Sequence, residues 1–179
     1  MKIENHRLEE AQQVASPHYD DRERDEISLL VIHNISLPPG KFGGSYIEDF
    51  FLGQLKSDED PFFDTIREVK VSAHCLIRRD GSIVQFVPFD RRAWHAGVSC
   101  FDGREKCNDF SIGIELEGTD DLPYTDQQYL ALKTVSKALM AQYPAITPER
   151  ITGHEHIAPG RKTDPGPSFN WNKYRALLK

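Results

Sequence analysis

Phe110-Ser111-Ile112-Gly113-Ile114-Glu115-Leu116-Glu117 decides the fold. Apolar and polar residues alternate without a break. Ile112, Ile114 and Leu116 therefore share one face of a strand, while Gly113, Glu115 and Glu117 share the other. An inward carboxylate in so apolar a strand needs partners or a cleft, because an unpaired buried charge is costly. Either Glu115 lies on a solvated sheet face, or the bare Gly113 leaves room beside it for a ligand.

Working outward, Ile27 to Ile32 is a nearly unbroken apolar run ending at His33-Asn34, the pattern of a strand buried on both faces. Its terminal histidine would sit at the sheet rim, where ligands bind. Val71 to Ile77 and Ile83 to Val87 flank Asp80-Gly81, a hairpin turn signal, and predict an antiparallel pair with Arg78 and Arg79 at a charged tip. His74, inside the first of these strands, reads as structural.

Ser45-x-x-Glu48 has the capping-box pattern, and Asp60-Pro61 is a second helix start. Thr125-x-x-Gln128 opens the longest helix, with Tyr129, Leu132, Val135, Leu139 and Tyr143 at helical spacing before Pro144. A terminal helix follows from Asn170, with Trp171, Tyr174 and Leu178 inward. The expectation is an α/β (α+β) layer fold: a mixed sheet of about five strands flanked by about three or four helices. It predicts a single domain over residues 1–179, with 1–26 an irregular arm whose Pro17-His18-Tyr19 alone suggests docking.

Bulk properties exclude several classes. The 179 residues, 39% hydrophobic, suffice for one sizeable core. A net charge of -6 argues against a nucleic-acid surface. Cys75, Cys100 and Cys107 form no Cys-x-x-Cys pair and read as free thiols. The acidic amino-terminal stretch lacks a signal-peptide core, and no apolar run nears the roughly 18 residues of a membrane span, so a cytoplasmic location without membrane partners is expected.

The densest chemistry lies in Ile151-Thr-Gly-His154-Glu-His156-Ile-Ala-Pro-Gly-Arg161-Lys162-Thr-Asp164-Pro-Gly-Pro167. Two imidazoles, cations and carboxylates among turn residues suit a metal site or a solvated loop. A catalytic zinc takes about three His or carboxylate ligands, and the candidates are His33, His74, His95, His154, His156, Asp80 and Asp164. If the segment is extended, His154 and His156 both face the metal; if it turns, only one does. Glu115 is the best-placed base by pattern, and Lys162 could steady an oxyanion. Ala93-Trp94-His95-Ala96-Gly97 reads as a groove wall or as packing.

Pro17-His-Tyr-Asp20, Val31-Ile-His33-Asn34-Ile-Ser-Leu-Pro-Pro-Gly40, Val71-Ser-Ala-His74-Cys-Leu-Ile-Arg-Arg-Asp-Gly81, Arg92-Ala-Trp-His95-Ala-Gly97, Cys107-Asn-Asp-Phe-Ser-Ile-Gly-Ile-Glu115-Leu-Glu-Gly118 and Thr152-Gly-His154 through Pro167 closely resemble the AmpD-type 1,6-anhydro-N-acetylmuramyl-L-alanine amidases. The resemblance spans almost the whole chain. More distantly, the chain is similar to the zinc amidase and peptidoglycan-recognition superfamily that includes phage T7 lysozyme.

The resemblance implies one zinc ion on His33, His154 and Asp164, with Glu115 as general base and Lys162 as transition-state stabiliser. His156 and His95 fall to supporting or wall roles. The implied substrate is a small anhydro-muropeptide of peptidoglycan recycling, cleaved between the lactyl group and L-alanine, with an implied influence on β-lactamase induction. Asn34, Arg161, Lys106 and Lys70 would contact it. Lys70 and Lys106 stand where the family pattern leads one to expect arginine, keeping the charge without the planar fork. Two alternatives are a non-catalytic peptidoglycan-binding module, which should lack a ligand or the base, and an amidase acting on intact wall.

Overall fold

The computed structural model describes residues 1–179. Six strands form the main sheet, in the spatial order Ile151–Gly153, Leu29–Ile35, Ser111–Glu117, Cys75–Ile77, Ile83–Gln85 and Gln12–Gln13. The first four run parallel and the hairpin pair is antiparallel. Ser111–Glu117 is central and buried on both faces along its whole length, as its neighbours on either side require. The sheet exceeds the expected five strands because the amino-terminal arm is not irregular. Gln12–Gln13 joins the edge, and Tyr19–Asp21 pairs with Arg91–Ala93. His18 is buried, its Nδ1 3.1 Å from the Val71 carbonyl, so the arm docks where Pro17-His18-Tyr19 suggested.

One face of the sheet carries Leu30, Ile32, Cys75, Ile77, Ile112, Ile114 and Leu116 into the largest apolar cluster. Helix α2 (Asp126–Gln142) covers it. Thr125 and Gln128 form the reciprocal capping box, and Tyr129, Leu132, Val135 and Leu139 pack inward at helical spacing. The terminal helix α4 (Trp171–Leu178) adds Tyr174, whose hydroxyl lies 2.6 Å from Ser136 Oγ beneath the surface.

The opposite face is divided. Leu76 and Val84 lie under helix α1 (Tyr46–Phe51) and the short 3₁₀ turn Pro61–Thr65. Leu29 and Val31 meet Ala96, Cys107, Phe110 and Ile157. The carboxyl ends of the parallel strands lie between these clusters, the usual ligand position in such sheets.

Two local expectations change. Ser45 does not cap α1 with its side chain: its Oγ donates to Asp49, while Glu48 turns away to pair with Arg78. Arg78 and Arg79 are accordingly more than a charged tip. The Arg78 guanidinium also donates to the Gly44 carbonyl, and the Arg79 backbone N–H donates to Glu117 Oε2 at 3.0 Å, tying the hairpin to the loop after the first long strand and to the central strand. All three cysteines are free.

Candidate metal and catalytic site

Parallel pairing sets His33 beside Glu115, so the two side chains leave the same face of the sheet. The strand Ile151–Gly153 lies on the other side of Leu29–Ile35 and delivers His154 at its end. There the chain makes one helical turn, α3 (His154–Ile157), which buries His154 and exposes His156. The turn therefore settles the choice between extended and bent geometry: a single imidazole of the pair points inward. The loop then doubles back over Gly153, where an added Cβ would lie 2.8 Å from Pro165 Cδ. The Glu155 N–H donates to the Asp164 carbonyl at 2.9 Å, which closes the loop and brings the Asp164 side chain to the two histidines.

Three atoms converge. His33 Nδ1, His154 Nδ1 and Asp164 Oδ2 lie 3.0 Å from one another on every side of a triangle. His74, His95, His156 and Asp80 stand outside this group. His74 is buried, accepting from the Gly113 N–H and facing the Arg91 carbonyl, while Asp80 accepts from Ser82 in the hairpin turn. The structural reading of His74 holds.

The donor set suits a cation. His154 Nε2 is 3.0 Å from the Ala96 carbonyl, which can only accept, so the imidazole proton sits on Nε2 and the Nδ1 lone pair faces the triangle. His33 Nε2 faces His95 Nδ1 at 2.9 Å, and with the proton there its Nδ1 is bare as well. Two lone pairs and a carboxylate oxygen then point at one another, an arrangement that repels unless a positive ion occupies the centre. These residue types suit Zn²⁺.

Charge states agree with this. Burial lowers the His33 pKa to about 4, keeping the ring neutral. Burial alone would raise the Asp164 carboxyl, but its close approach to His154 and His33 outweighs burial and holds the group well below its usual range. Glu115 moves the other way. Burial and then the negative charge of Asp164 push its carboxyl well above the usual value, against the pull of Lys162. Its Oε2 is buried without a hydrogen-bond partner, as expected of a group kept free for a proton.

A cleft of about 360 Å³ opens over these residues, lined also by Phe50, Phe62, Ile66, Trp94 and the exposed Lys162. A polar groove, lined by Asn34, Ser36, Thr119 and Asp120, adjoins the site and shares Asp164 and Lys162 with it. Asn34 spends its amide N–H groups on Asp120 Oδ1 at 2.8 Å and on the Pro165 carbonyl at 3.2 Å. Tyr124 donates to that same carbonyl at 2.8 Å, so Asn34 and Tyr124 together brace the Asp164 loop. Sequence reasoning missed Asp120 and Tyr124, for no local pattern marks a contact joining positions 34, 120, 124 and 165.

Arg161 and Lys106 line a separate hollow of about 520 Å³ with Val98 and Cys100. The Arg161 guanidinium is already held by the Ala96 and Val98 carbonyls at 2.5 and 2.6 Å. Lys70 is exposed, between Val69 and Val71 of the cleft wall. The space expected at Gly113 holds the His95 ring: a Cβ there would lie 2.4 Å from its Cγ. His95 is thus buried against the strand and still lines the cleft beside Trp94, so the packing and wall readings both apply to it.

Comparison with known proteins accords with this geometry. The N-acetylmuramoyl-L-alanine amidase family profile matches residues 23–167. The chain belongs to that family. It is 64% identical over 172 residues to the 1,6-anhydro-N-acetylmuramyl-L-alanine amidase AmpD of Salmonella typhimurium strain SL1344, covering 96% of this chain and 91% of the relative. A crystal structure of a selenomethionine AmpD derivative superposes with a TM-score of 0.97 at 60% identity, over the full length of both chains. The Escherichia coli amidase AmiD, solved in complex with its substrate anhydro-N-acetylmuramic acid-L-Ala-D-gamma-Glu-L-Lys, is 30% identical with a TM-score of 0.63, covering 98% of this chain and 65% of that one. The mixed sheet of this amidase and its flanking helices are therefore those of the family.

Proposed function

We propose that the chain is a single amidase domain that uses one zinc ion to hydrolyse the amide between the lactyl group of 1,6-anhydro-N-acetylmuramic acid and L-alanine. Its substrates are soluble muropeptides, in peptidoglycan recycling in the cytoplasm. That no helix is long and apolar enough to cross a membrane accords with this. The observation that carries the reading is the triangle of bare ligand atoms beside an unpartnered, buried carboxylate.

His33, His154 and Asp164 would hold the ion. The chemistry zinc supplies when bound there is Lewis-acid polarisation and a lowered pKa for water. Glu115, on the strand next to His33, takes a proton from the attacking water as its oxygen bonds to the lactyl carbonyl carbon. It then delivers that proton to the alanine nitrogen as the C–N bond breaks. Its raised pKa suits both steps, since a carboxyl poised nearer neutrality accepts and releases a proton readily. Lys162, an exposed residue of the cleft lining, offers a cation to the oxyanion of the tetrahedral intermediate. Asn34 supplies its remaining amide oxygen to the substrate, and Arg161, Lys106 and Lys70 form a cationic rim for the peptide carboxylates.

The test compares release of stem peptide from a soluble anhydro-muropeptide and from insoluble sacculus, with metal content measured on the same preparation. Fast release from the soluble fragment and slow release from the wall is expected. Equal rates on both would overturn the recycling assignment.

A further inference from the structure

The distal nitrogens of the two histidines at the triangle meet consecutive residues of one segment. His33 Nε2 lies 2.9 Å from His95 Nδ1, and His154 Nε2 lies 3.0 Å from the Ala96 carbonyl. The segment is itself fixed from behind. Asn108, buried in the short turn after Cys107, accepts with its Oδ1 from the backbone N–H of both His95, at 3.2 Å, and Ala96, at 2.8 Å. The His95 ring lies on bare Gly113 and its Nε2 is 3.1 Å from Ser111 Oγ, so its plane is set by the strand that carries Glu115.

From this geometry we infer that Asn108, through the dipeptide His95-Ala96, positions both imidazoles and selects the tautomer in which each offers Nδ1 to the metal. The inference rests on the metal site proposed above. His95 accepts the His33 Nε2–H only while its own proton is on Nε2, facing Ser111. Reversing that chain puts a proton on His33 Nδ1 and blocks it as a ligand atom. The Ala96 carbonyl has no such choice. One histidine is thus fixed by a backbone acceptor and the other by an imidazole whose own orientation Ser111 and Gly113 must maintain. Asn108 reaches neither ligand directly. It acts by holding the backbone between them, as outer partners of metal-bound histidines do elsewhere.

The test is zinc affinity, measured by competition with a chelator on the whole chain, alongside the thermal midpoint of each zinc-free variant. His95→Ala and Asn108→Ala are each expected to weaken zinc binding by roughly 10- to 100-fold, the usual scale for losing such a partner. The amide oxygen of Asn occupies the place of His Nδ1, so His95→Asn should recover most of the loss. Asn108→Asp keeps the acceptor and should do the same. In the zinc-loaded protein the His33 Nε2–H should be protected from exchange, and that protection should vanish in His95→Ala.

Wild-type affinity in both alanine variants would overturn the inference. So would conservative variants no better than the alanine ones, or a loss of affinity that merely follows the fall in thermal midpoint. Asp164→Ala serves as the reference: if it retained zinc, the metal site itself would be wrong, whereas zinc lost there and kept in His95→Ala and Asn108→Ala would sink only the positioning role.

Discussion

The two faces of the strand Ser111–Glu117 are equally buried and do different work. On one, Ile112, Ile114 and Leu116 enter the largest apolar cluster beneath α2 and α4, where volume-conserving apolar replacements are the best tolerated. On the other, Ser111 meets His95, Gly113 makes way for its ring, and Glu115 and Glu117 carry buried carboxylates. Even those two carboxylates diverge. Glu117 accepts from the Gly43 N–H at 2.5 Å and the Arg79 N–H at 3.0 Å and is spent on structure, whereas Glu115 Oε2 has no partner. Burial therefore says little about function; an unspent polar atom in a buried place says a great deal.

The contrast can be broken most severely at the site. Asp164→Ala should abolish zinc retention and turnover together, since about three ligands define such a site and none can be spared; metal analysis of the purified variant checks it. Glu115→Ala, on the same side, should keep the metal and lose about 10²-fold or more in turnover. If turnover stayed near normal, Glu115 would be as structural as Glu117.

From the apolar face the effect should be on stability alone. Ile114→Ala removes a fully buried side chain and should cost about 2–5 kcal/mol in urea unfolding. Turnover per folded molecule should stay unchanged. A drop in zinc affinity in that variant would show that the two faces are coupled through the strand. The smallest effect belongs to the cap of α2: Thr125→Ala breaks the reciprocal box and should cost about 1 kcal/mol, with zinc affinity untouched.

Much of this was legible in the chain. The alternation around Ile114, the Asp80-Gly81 turn and the Thr125–Gln128 cap are local signals, and each became the element expected of it. The Ser45–Glu48 cap failed because Arg78, 30 residues away, competes for the Glu48 carboxylate. The arm was misread for the same reason. Its strands Gln12–Gln13 and Tyr19–Asp21 form because Ile83–Gln85 and Arg91–Ala93 offer edges to pair with. The resemblance to a known family supplied the ligand set that spacing had left open between His154 and His156.

By itself the sequence determined which residues face together, where the long helix starts and that a polar, turn-rich loop precedes the terminal helix, because backbone periodicity and capping act over a few residues. Only the tertiary structure decided that His33 and Asp164, 131 residues apart, meet within 3.0 Å. It also decided that the gap at Gly113 holds an imidazole rather than a ligand. Those outcomes depend on parallel strand register and on which buried donor finds which acceptor, and both are settled only when distant segments pack.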